Sequence, residues 1–474
     1  MATNIFLSRE ILFGTFASVV KLIKEGANVN EKDSYGFTPL IEATLKEDIT
    51  IAKLLLEHGA KIDQEDISGQ TALQWAVNRY HLPLCELYLV TKADPNHYSA
   101  DGQPILVNPL LREQADLIQL LVDFGAKIEF AQDFINAKLI GHRYELTGRA
   151  RILNVKKTFI DLNYEGFYLE FTVGIIMQNL TIFMNNDAGK RFNAYHTVLS
   201  KIARTLKASS EILQYKYSTE GPTKHDMIIR RVLNEDLVVI PVSYEGHAIT
   251  FVKYGNLFAK CDRGVSHIVD TVVIYQVGNI YALNPDFLKD LMYNNKSNEY
   301  INTEIKKILG LKPFATLPPR YQLSGNCSWA NVEASIPAMM FMLMFRGNSE
   351  SRSEIATLKK SIMNYYDTWV EWDKDRILNE CITAFYQADS IRKAAKASIL
   401  AAILFQRCKV SHKTDEERAK KILAILTLPE YNYILKSYIQ VYHTKMAGTL
   451  GQDFLNLLRT CGVDISSLLT RNIR

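Results

Sequence analysis

The chain has 474 residues, 47% hydrophobic and 22% charged, which suffices for two or three domains with their own cores. Its net charge is only +4, and basic and acidic side chains are interleaved along the sequence, so no cationic surface for binding nucleic acid is expected. The six cysteines lie far apart without a CxxC pair. This spacing argues against a zinc site or a disulfide framework and favours a reducing compartment, and no cofactor or metal is expected.

The apolar stretches are too short to cross a membrane. The longest, residues 336–345 and 397–405, fall well below the roughly 20 residues that a bilayer requires, so they predict buried helices. Arg9 and Glu10 interrupt what would be the apolar segment of a signal peptide, and classical secretion is not expected.

The segment 1–130 repeats with a fixed period. Glycines recur at one constant spacing at Gly36, Gly69 and Gly102, and alanines follow the same spacing at Ala27, Ala60, Ala93 and Ala126. A period of about 33 residues is typical of helical repeat proteins, and it predicts about four units.

The shared pattern resembles the ankyrin repeat, whose elements stand here as TPLIEA (38–43) and LLLEHGA (54–60). The third unit departs from this pattern, with Lys92 where glycine is expected and Pro104 ahead of an altered first helix, so we expect it to be irregular. The resemblance implies a solenoid whose concave surface binds another protein. Alternatively, so short an array only braces the domain that follows.

The rest of the chain predicts a mixed α+β domain over residues 131–345 and a helical region over 346–474, either packed on that domain or separate from it. The predicted strands are 167–171, 181–184, 237–242, 248–254 and 271–277, and residues 195–206 have helical spacing. Amphipathic stretches follow at 353–366, 376–407 and 414–426, the last opening with a Thr414/Glu417 capping box.

A polar turn, Gly325-Asn326, precedes Cys327 at the start of an apolar segment. A thiol in the first turn of a helix meets unpaired backbone N–H groups and the positive end of the helix dipole, both of which favour the thiolate. Cys85, Cys381 and Cys408 lie instead in apolar helical patterns and are expected to be buried packing residues.

Two segments resemble papain-like cysteine hydrolases. One is the stretch from Gln322 to Ala330. The other is Gly246-His247-Ala248-Ile249, which is followed by a predicted turn at 254–256 and then by Asp262. The resemblance implies Cys327 as nucleophile, His247 as base, Asp262 as its orienting partner and Gln322 in the oxyanion hole. Asp270 and Asn256 are alternative orienting residues. Gln322 lies five rather than six residues before the cysteine, and Ser328 precedes Trp329, so both positions depart from the papain-like pattern.

The histidine precedes the cysteine, as in permuted papain-like families. Ankyrin repeats joined to such a domain resemble the type IV secreted effectors of Legionella and related bacteria. This resemblance implies export into a host cell, residence in host cytoplasm or nucleus, and a host protein as partner. Two functions compete: a thiol hydrolase or acyl transferase, and a non-catalytic binding module that redirects a host complex.

Overall fold

In the computed structural model, residues 4–123 fold as four successive pairs of short helices. The structure describes residues 4–216, 221–264, 271–322, 325–345, 351–444 and 449–469. Thr38 and Thr71 each begin a helix by accepting a hydrogen bond from a backbone N–H of its first turn, which would otherwise be unpaired. The helices are Asn4–Phe13 (α1), Phe16–Lys24 (α2), Pro39–Leu45 (α3), Ile49–Glu57 (α4), Ala72–Asn78 (α5), Leu82–Val90 (α6), Val107–Leu111 (α7) and Ala115–Asp123 (α8).

The period predicted from the sequence is confirmed, because α5 and α6 each begin one full period after α3 and α4. Gly59 follows a helix end with φ +86°, in the left-handed region that glycine adopts without strain. Lys92 stands at the equivalent position with φ +73°. The lysine therefore takes a backbone conformation for which its side chain is poorly suited.

The irregular first helix predicted after Pro104 is confirmed in α7, which opens the fourth helix pair. α7 has five residues and begins without a side-chain hydrogen bond. Beside it lies an antiparallel hairpin that the sequence analysis did not predict, Arg149–Leu153 (β1) and Phe159–Asn163 (β2). The hairpin comes so close that a Cβ on Gly102 would lie 3.1 Å from the Asp161 carbonyl oxygen.

A longer helix, Ile128–Arg143 (α9), follows the repeats. The first compact unit comprises Met1–Ala137 and Arg149–Asn163, and the second comprises Lys138–Gly148 and Tyr164–Arg474. The predicted domain limits at residues 130 and 345 stay a prediction.

The second unit contains an antiparallel sheet of five strands in the order β3-β4-β5-β6-β7 within the described residues. The predicted strands at 237–242, 248–254 and 271–277 are confirmed. The strands are Leu237–Tyr244 (β3), His247–Tyr254 (β4), Leu257–Cys261 (β5), Val272–Gln276 (β6) and Lys312–Leu317 (β7).

Two predicted strands, 167–171 and 181–184, are wrong, because both overlap one helix, Leu169–Asn185 (α10). The local β-branched and aromatic content favoured strands, but the longer pattern is helical. The buried residues follow one another at intervals of three and four: Leu169, Val173, Ile176, Leu180 and Phe183.

Helices surround the sheet and fill the C-terminal region. The predicted helix at 195–206 is confirmed, as are buried helices at 336–345 and 397–405. The helices after α10 are Asp187–Lys190 (α11), His196–Gln214 (α12), Gly221–Lys224 (α13), Asp226–Leu233 (α14), Pro285–Tyr293 (α15), Ile305–Ile308 (α16), Cys327–Met344 (α17), Arg352–Gln387 (α18), Ser390–Arg407 (α19), Lys413–Leu426 (α20), Asn432–Thr444 (α21), Thr449–Thr460 (α22) and Ile465–Leu469 (α23).

Two C-terminal predictions need correction. The stretch 376–407 is two helices, because Asp389 ends the continuity and caps α19 through its carboxylate. The capping box at Thr414 is wrong, since α20 begins at Lys413 after His412 and has no side-chain cap. Cys408 lies just past α19 and is partly exposed, so it is not the buried helical residue predicted.

Candidate functional site

Cys327 is the first residue of α17, directly after the Gly325-Asn326 turn. Gly325 has φ +58°, the left-handed conformation that lets the chain turn sharply into the helix. α17 packs against the start of β4 through buried, mostly apolar side chains. The thiol is therefore presented at the helix end where unpaired N–H groups concentrate.

His247 begins β4, and Asp262 directly follows β5. These neighbouring strands are antiparallel, so the start of β4 lies beside the end of β5. His247 Nε2 lies 3.1 Å from Asp262 Oδ1. Asn256 lies in the turn at the far end of β4, about 23 Å away at roughly 3.3 Å per residue, and cannot orient the imidazole. Asp270 lies outside the described residues.

The Asp262 carboxylate has further partners. Lys260 Nζ lies 3.1 Å from Oδ2, and the Gly264 backbone N–H donates to Oδ1 at 3.1 Å. Burial would raise the pKa of Asp262, but the hydrogen bond with His247 and the charge of Lys260 outweigh it and hold the pKa below its usual range. Asp262 therefore stays ionised beside the imidazole.

The His247 imidazole is held in its protonated form. The hydrogen bond to Asp262 and a second one to Cys327 raise its pKa to about 9, against the opposing effect of burial. Because Nε2 faces Asp262, Nδ1 is the nitrogen available to the sulfur.

The Cys327 thiol is shifted the opposite way. Burial raises its pKa, but the hydrogen bond with His247 and the backbone N–H groups of Ala248 and Ser328 lower it below the ordinary value. The two shifts together favour a thiolate and imidazolium pair.

Other cysteines of the chain lack this environment. Burial raises the pKa of Cys85 and Cys408 to about 12, and it also raises the pKa of Cys261 and Cys461. Cys261 packs inside β5 with no exposure. Cys327 thus differs from these four in the direction of its shift.

Asn331, one helical turn after Cys327, was missed by the sequence analysis. Its side chain is fully buried and forms hydrogen bonds with the two segments that carry His247 and Asp262. Nδ2 donates to the Ala248 carbonyl at 2.6 Å, and Oδ1 accepts from the Arg263 N–H at 2.6 Å. One amide therefore fixes the residue after His247 and the residue after Asp262 to the helix of Cys327. No local sequence signal marks this role.

Gln322 is buried, and its backbone N–H donates to the Arg263 carbonyl at 3.0 Å. Its side-chain oxygen has no hydrogen-bond partner among the described residues. Leu323 and Ser324, which join it to the Cys327 turn, lie outside the described residues.

A buried ionic network supports α17 behind the thiol. Arg143 pairs with Glu333 and Asp373, and Glu333 also pairs with Arg263 at 3.1 Å. Tyr366 donates a further hydrogen bond to Glu333 at 2.9 Å. The signal that could have revealed it is a glutamate within an apolar helix, because a buried charge requires a partner.

No group of side chains suited to a metal ion is found among the described residues. Within the same ranges, no helix has the length and apolar character needed to cross a membrane.

The repeats and the α+β unit define an ankyrin-repeat protein with an additional mixed domain. A family model for ankyrin repeats (3 copies) matches residues 9–99, and one for the Dot/Icm T4SS effector AnkD/LegA15 matches residues 179–369. The solved structure of the Legionella effector AnkH is similar to this chain with a TM-score of 0.81 and 39% identity, over 98% of each chain. The chain belongs to the family of ankyrin-repeat Legionella effectors that includes AnkH, which are translocated into the host cell by type IV secretion.

A curated relative matches a smaller part of the chain. Putative ankyrin repeat protein L371 of Acanthamoeba polyphaga mimivirus is 31% identical over 108 residues, which are 22% of this chain. The match spans only 14% of that protein. The predicted ankyrin repeats and effector class are confirmed, whereas the papain-like activity stays a prediction.

Proposed function

We propose that the second unit is a papain-like thiol hydrolase or acyl transferase that acts on a host protein. The observation that carries this proposal is the contact of His247 with both Asp262 and Cys327, with opposite pKa shifts on the imidazole and the thiol. Perturbed pairs of this kind are typical of nucleophilic sites.

The reaction begins from the thiolate and imidazolium pair. The Cys327 sulfur adds to a substrate carbonyl carbon, and His247 gives its proton to the leaving amine as the carbon–nitrogen bond breaks. Water, or an acceptor amine in acyl transfer, then loses a proton to His247 while attacking the thioester. Release of the acid or amide restores the thiolate and the imidazolium. Asp262 keeps the imidazole oriented throughout.

Gln322 is proposed to stabilise the oxyanion with the Cys327 backbone N–H. The N–H of the first helical residue has no intrahelical acceptor, so it is available to a developing negative charge. This role of Gln322 rests on its buried position beside Arg263 and on its sequence context.

The ankyrin repeats are proposed to select the host protein, in host cytoplasm or nucleus. Two large apolar side chains are exposed at repeat turns, Tyr35 at 65% and Ile67 at 76%. Exposed aromatic and aliphatic side chains are typical anchors of protein interfaces.

Selective alkylation tests the thiol site. We expect iodoacetamide at pH 7 to modify Cys327 at least about tenfold faster than Cys461, because an unperturbed thiol is only about 3% ionised at that pH. His247→Ala should remove the difference, and Asn256→Ala, at the far end of the same hairpin, should preserve it. p-Nitrophenyl acetate should give an acyl burst that is lost in Cys327→Ala. Equal alkylation rates for the two cysteines, unchanged by His247→Ala, would contradict the thiol site. The non-catalytic binding module would then be the favoured function.

Substrate selection is tested separately. Tyr35→Ser with Ile67→Ser should reduce capture of a host protein about tenfold or more while leaving Cys327 alkylation unchanged. Glu57→Ser, also exposed on the repeats, serves as the control. Undiminished capture by the double variant would exclude these turns as the binding surface.

A further inference from the structure

A cavity of about 500 Å³ lies in the second unit beside the thiol site. Its wall includes the end of α9, the start of α17, α18 and the connection from α19 to α20. Neither Cys327 nor His247 lines it. The volume suits a small molecule rather than a protein segment.

Several cations in the wall are neutralised by carboxylates of the protein. Arg263 Nη2 lies 2.8 Å from Glu145, and Arg418 Nη1 lies 2.8 Å from Glu371. Arg143 is paired within the buried network described above. These groups build the wall and leave little charge for a ligand.

Three other cations of the wall are not neutralised in this way. Within the described part of the chain, Arg320, Arg407 and Lys409 have no carboxylate within ion-pair distance. Asp367, which also lines the cavity, interacts with Arg320 only at longer range. Arg407 is half-buried, and its Nη2 donates only to the uncharged Glu145 backbone carbonyl. The Arg407 Nε is shielded from solvent and has no hydrogen-bond partner among the described residues. Burial lowers the pKa of Arg407, and the charge of Glu145, which lies beyond ion-pair distance, only partly opposes this effect.

The same cavity reaches the residue that precedes the proposed nucleophile. Asn326 lines it and exchanges two hydrogen bonds with His142, one from Nδ2 to the His142 carbonyl at 3.1 Å and one between Oδ1 and His142 Nδ1 at 2.5 Å. The His142 ring also lies parallel to Trp329, two residues after Cys327. A charge placed in this cavity therefore lies next to the first turn of α17.

We propose that this cavity binds a small molecule carrying two or more phosphate groups, and that its binding slows the reaction of Cys327. The guanidinium of Arg407 offers paired N–H donors that match phosphate oxygens, and Lys409 and Arg320 add charge at the exposed side. The bound negative charge opposes formation of the nearby thiolate. This second part rests on the proposed function.

Binding is tested with inorganic pyrophosphate on the full chain, by calorimetry at constant ionic strength. We expect saturable binding that is weaker for orthophosphate. Arg407→Gln should weaken it about tenfold or more and Lys409→Gln about threefold, while Arg407→Lys should recover part of the loss. Lys409 is exposed, so its variant does not depend on the packing around Arg407. The control Arg204→Gln removes an exposed cation from a different cavity.

Absence of saturable pyrophosphate binding would overturn the proposal, as would binding that ignores both Arg407→Gln and Lys409→Gln. The effect on the thiol is measured by Cys327 alkylation at a pyrophosphate concentration that largely fills the site of the unmodified chain. The rate should fall about twofold or more in the unmodified chain and markedly less in Arg407→Gln, which binds more weakly. Binding without this fall would overturn the regulatory part. Failure of the thiol site itself would appear without any ligand, as equal alkylation of Cys327 and Cys461.

Discussion

Replacing Asn331 by alanine tests how the three segments of the candidate site are held together. The change removes two hydrogen bonds of 2.6 Å, leaving the Ala248 carbonyl and the Arg263 N–H without their partner in a fully buried position. Each unpaired buried group costs about 1–3 kcal/mol, so we expect the free energy of unfolding of the second unit to fall by about 2–6 kcal/mol.

The same two hydrogen bonds predict a second effect. Ala248 follows His247 and Arg263 follows Asp262, so loss of the Asn331 amide frees both segments relative to α17. Cys327 alkylation at pH 7 should slow toward the rate of an ordinary thiol, even at temperatures where the variant is folded. Asn256→Ala, an exposed asparagine in the turn of the same hairpin, should change neither stability nor alkylation.

Asn331→Asp tests the contribution of each of the two hydrogen bonds separately. The introduced carboxyl can accept from the Arg263 N–H when ionised, but it can donate to the Ala248 carbonyl only when protonated. Burial raises its pKa, so the variant should regain stability relative to the parent as pH falls. The free energy of unfolding of both variants is measured by urea unfolding, which is followed by tryptophan fluorescence. A change below about 0.5 kcal/mol for Asn331→Ala, with unchanged alkylation, would refute the reasoning.

Charges in the second unit lead to two more predictions. The pKa of His247 is raised from 6.5 to about 9, so its pairing with Asp262 stabilises the fold fully below pH 6.5. This contribution should be lost as pH rises through about 9, and thermal unfolding of His247→Ala across this range should lack that loss. Arg143→Met removes the buried cation that pairs with both Glu333 and Asp373 and should cost about 3–5 kcal/mol in urea unfolding, whereas the exposed Arg151→Met should cost less than about 1 kcal/mol. Equal costs for the two arginine variants would contradict the assigned network.

The repeat architecture was predictable because its signal is local and periodic. Each unit carries its own turn glycine and helix start, and neighbouring units contact one another in sequence order. The strands 237–242 and 248–254 were predictable for a similar reason, since they are adjacent along the chain and form a hairpin. The pairing of His247 with Asp262 follows from the next hairpin, β4 with β5, once its turn is located at residues 255–256.

Features that depend on distant parts of the chain were not predictable. Asn331 contacts residues 83 and 68 positions away, and Arg143 pairs with Glu333 across 190 positions. Helix α10 was mistaken for two strands because short windows of β-branched and aromatic residues hid its longer period. In each case the deciding information is which residues become buried together.

The order of the candidate residues, histidine and aspartate before cysteine, is explained by the topology of the sheet. β4 and β5 form one hairpin, so His247 and Asp262 meet without help from any other segment. The helix that carries Cys327 needs only to return to the open end of that hairpin, which the chain achieves after β7. Register is the stricter requirement: a slip of one residue between β4 and β5 would turn the Asp262 side chain to the opposite face of the sheet. The Asn331 amide opposes such a slip, because it bonds to both sides of the hairpin from one rigid helix.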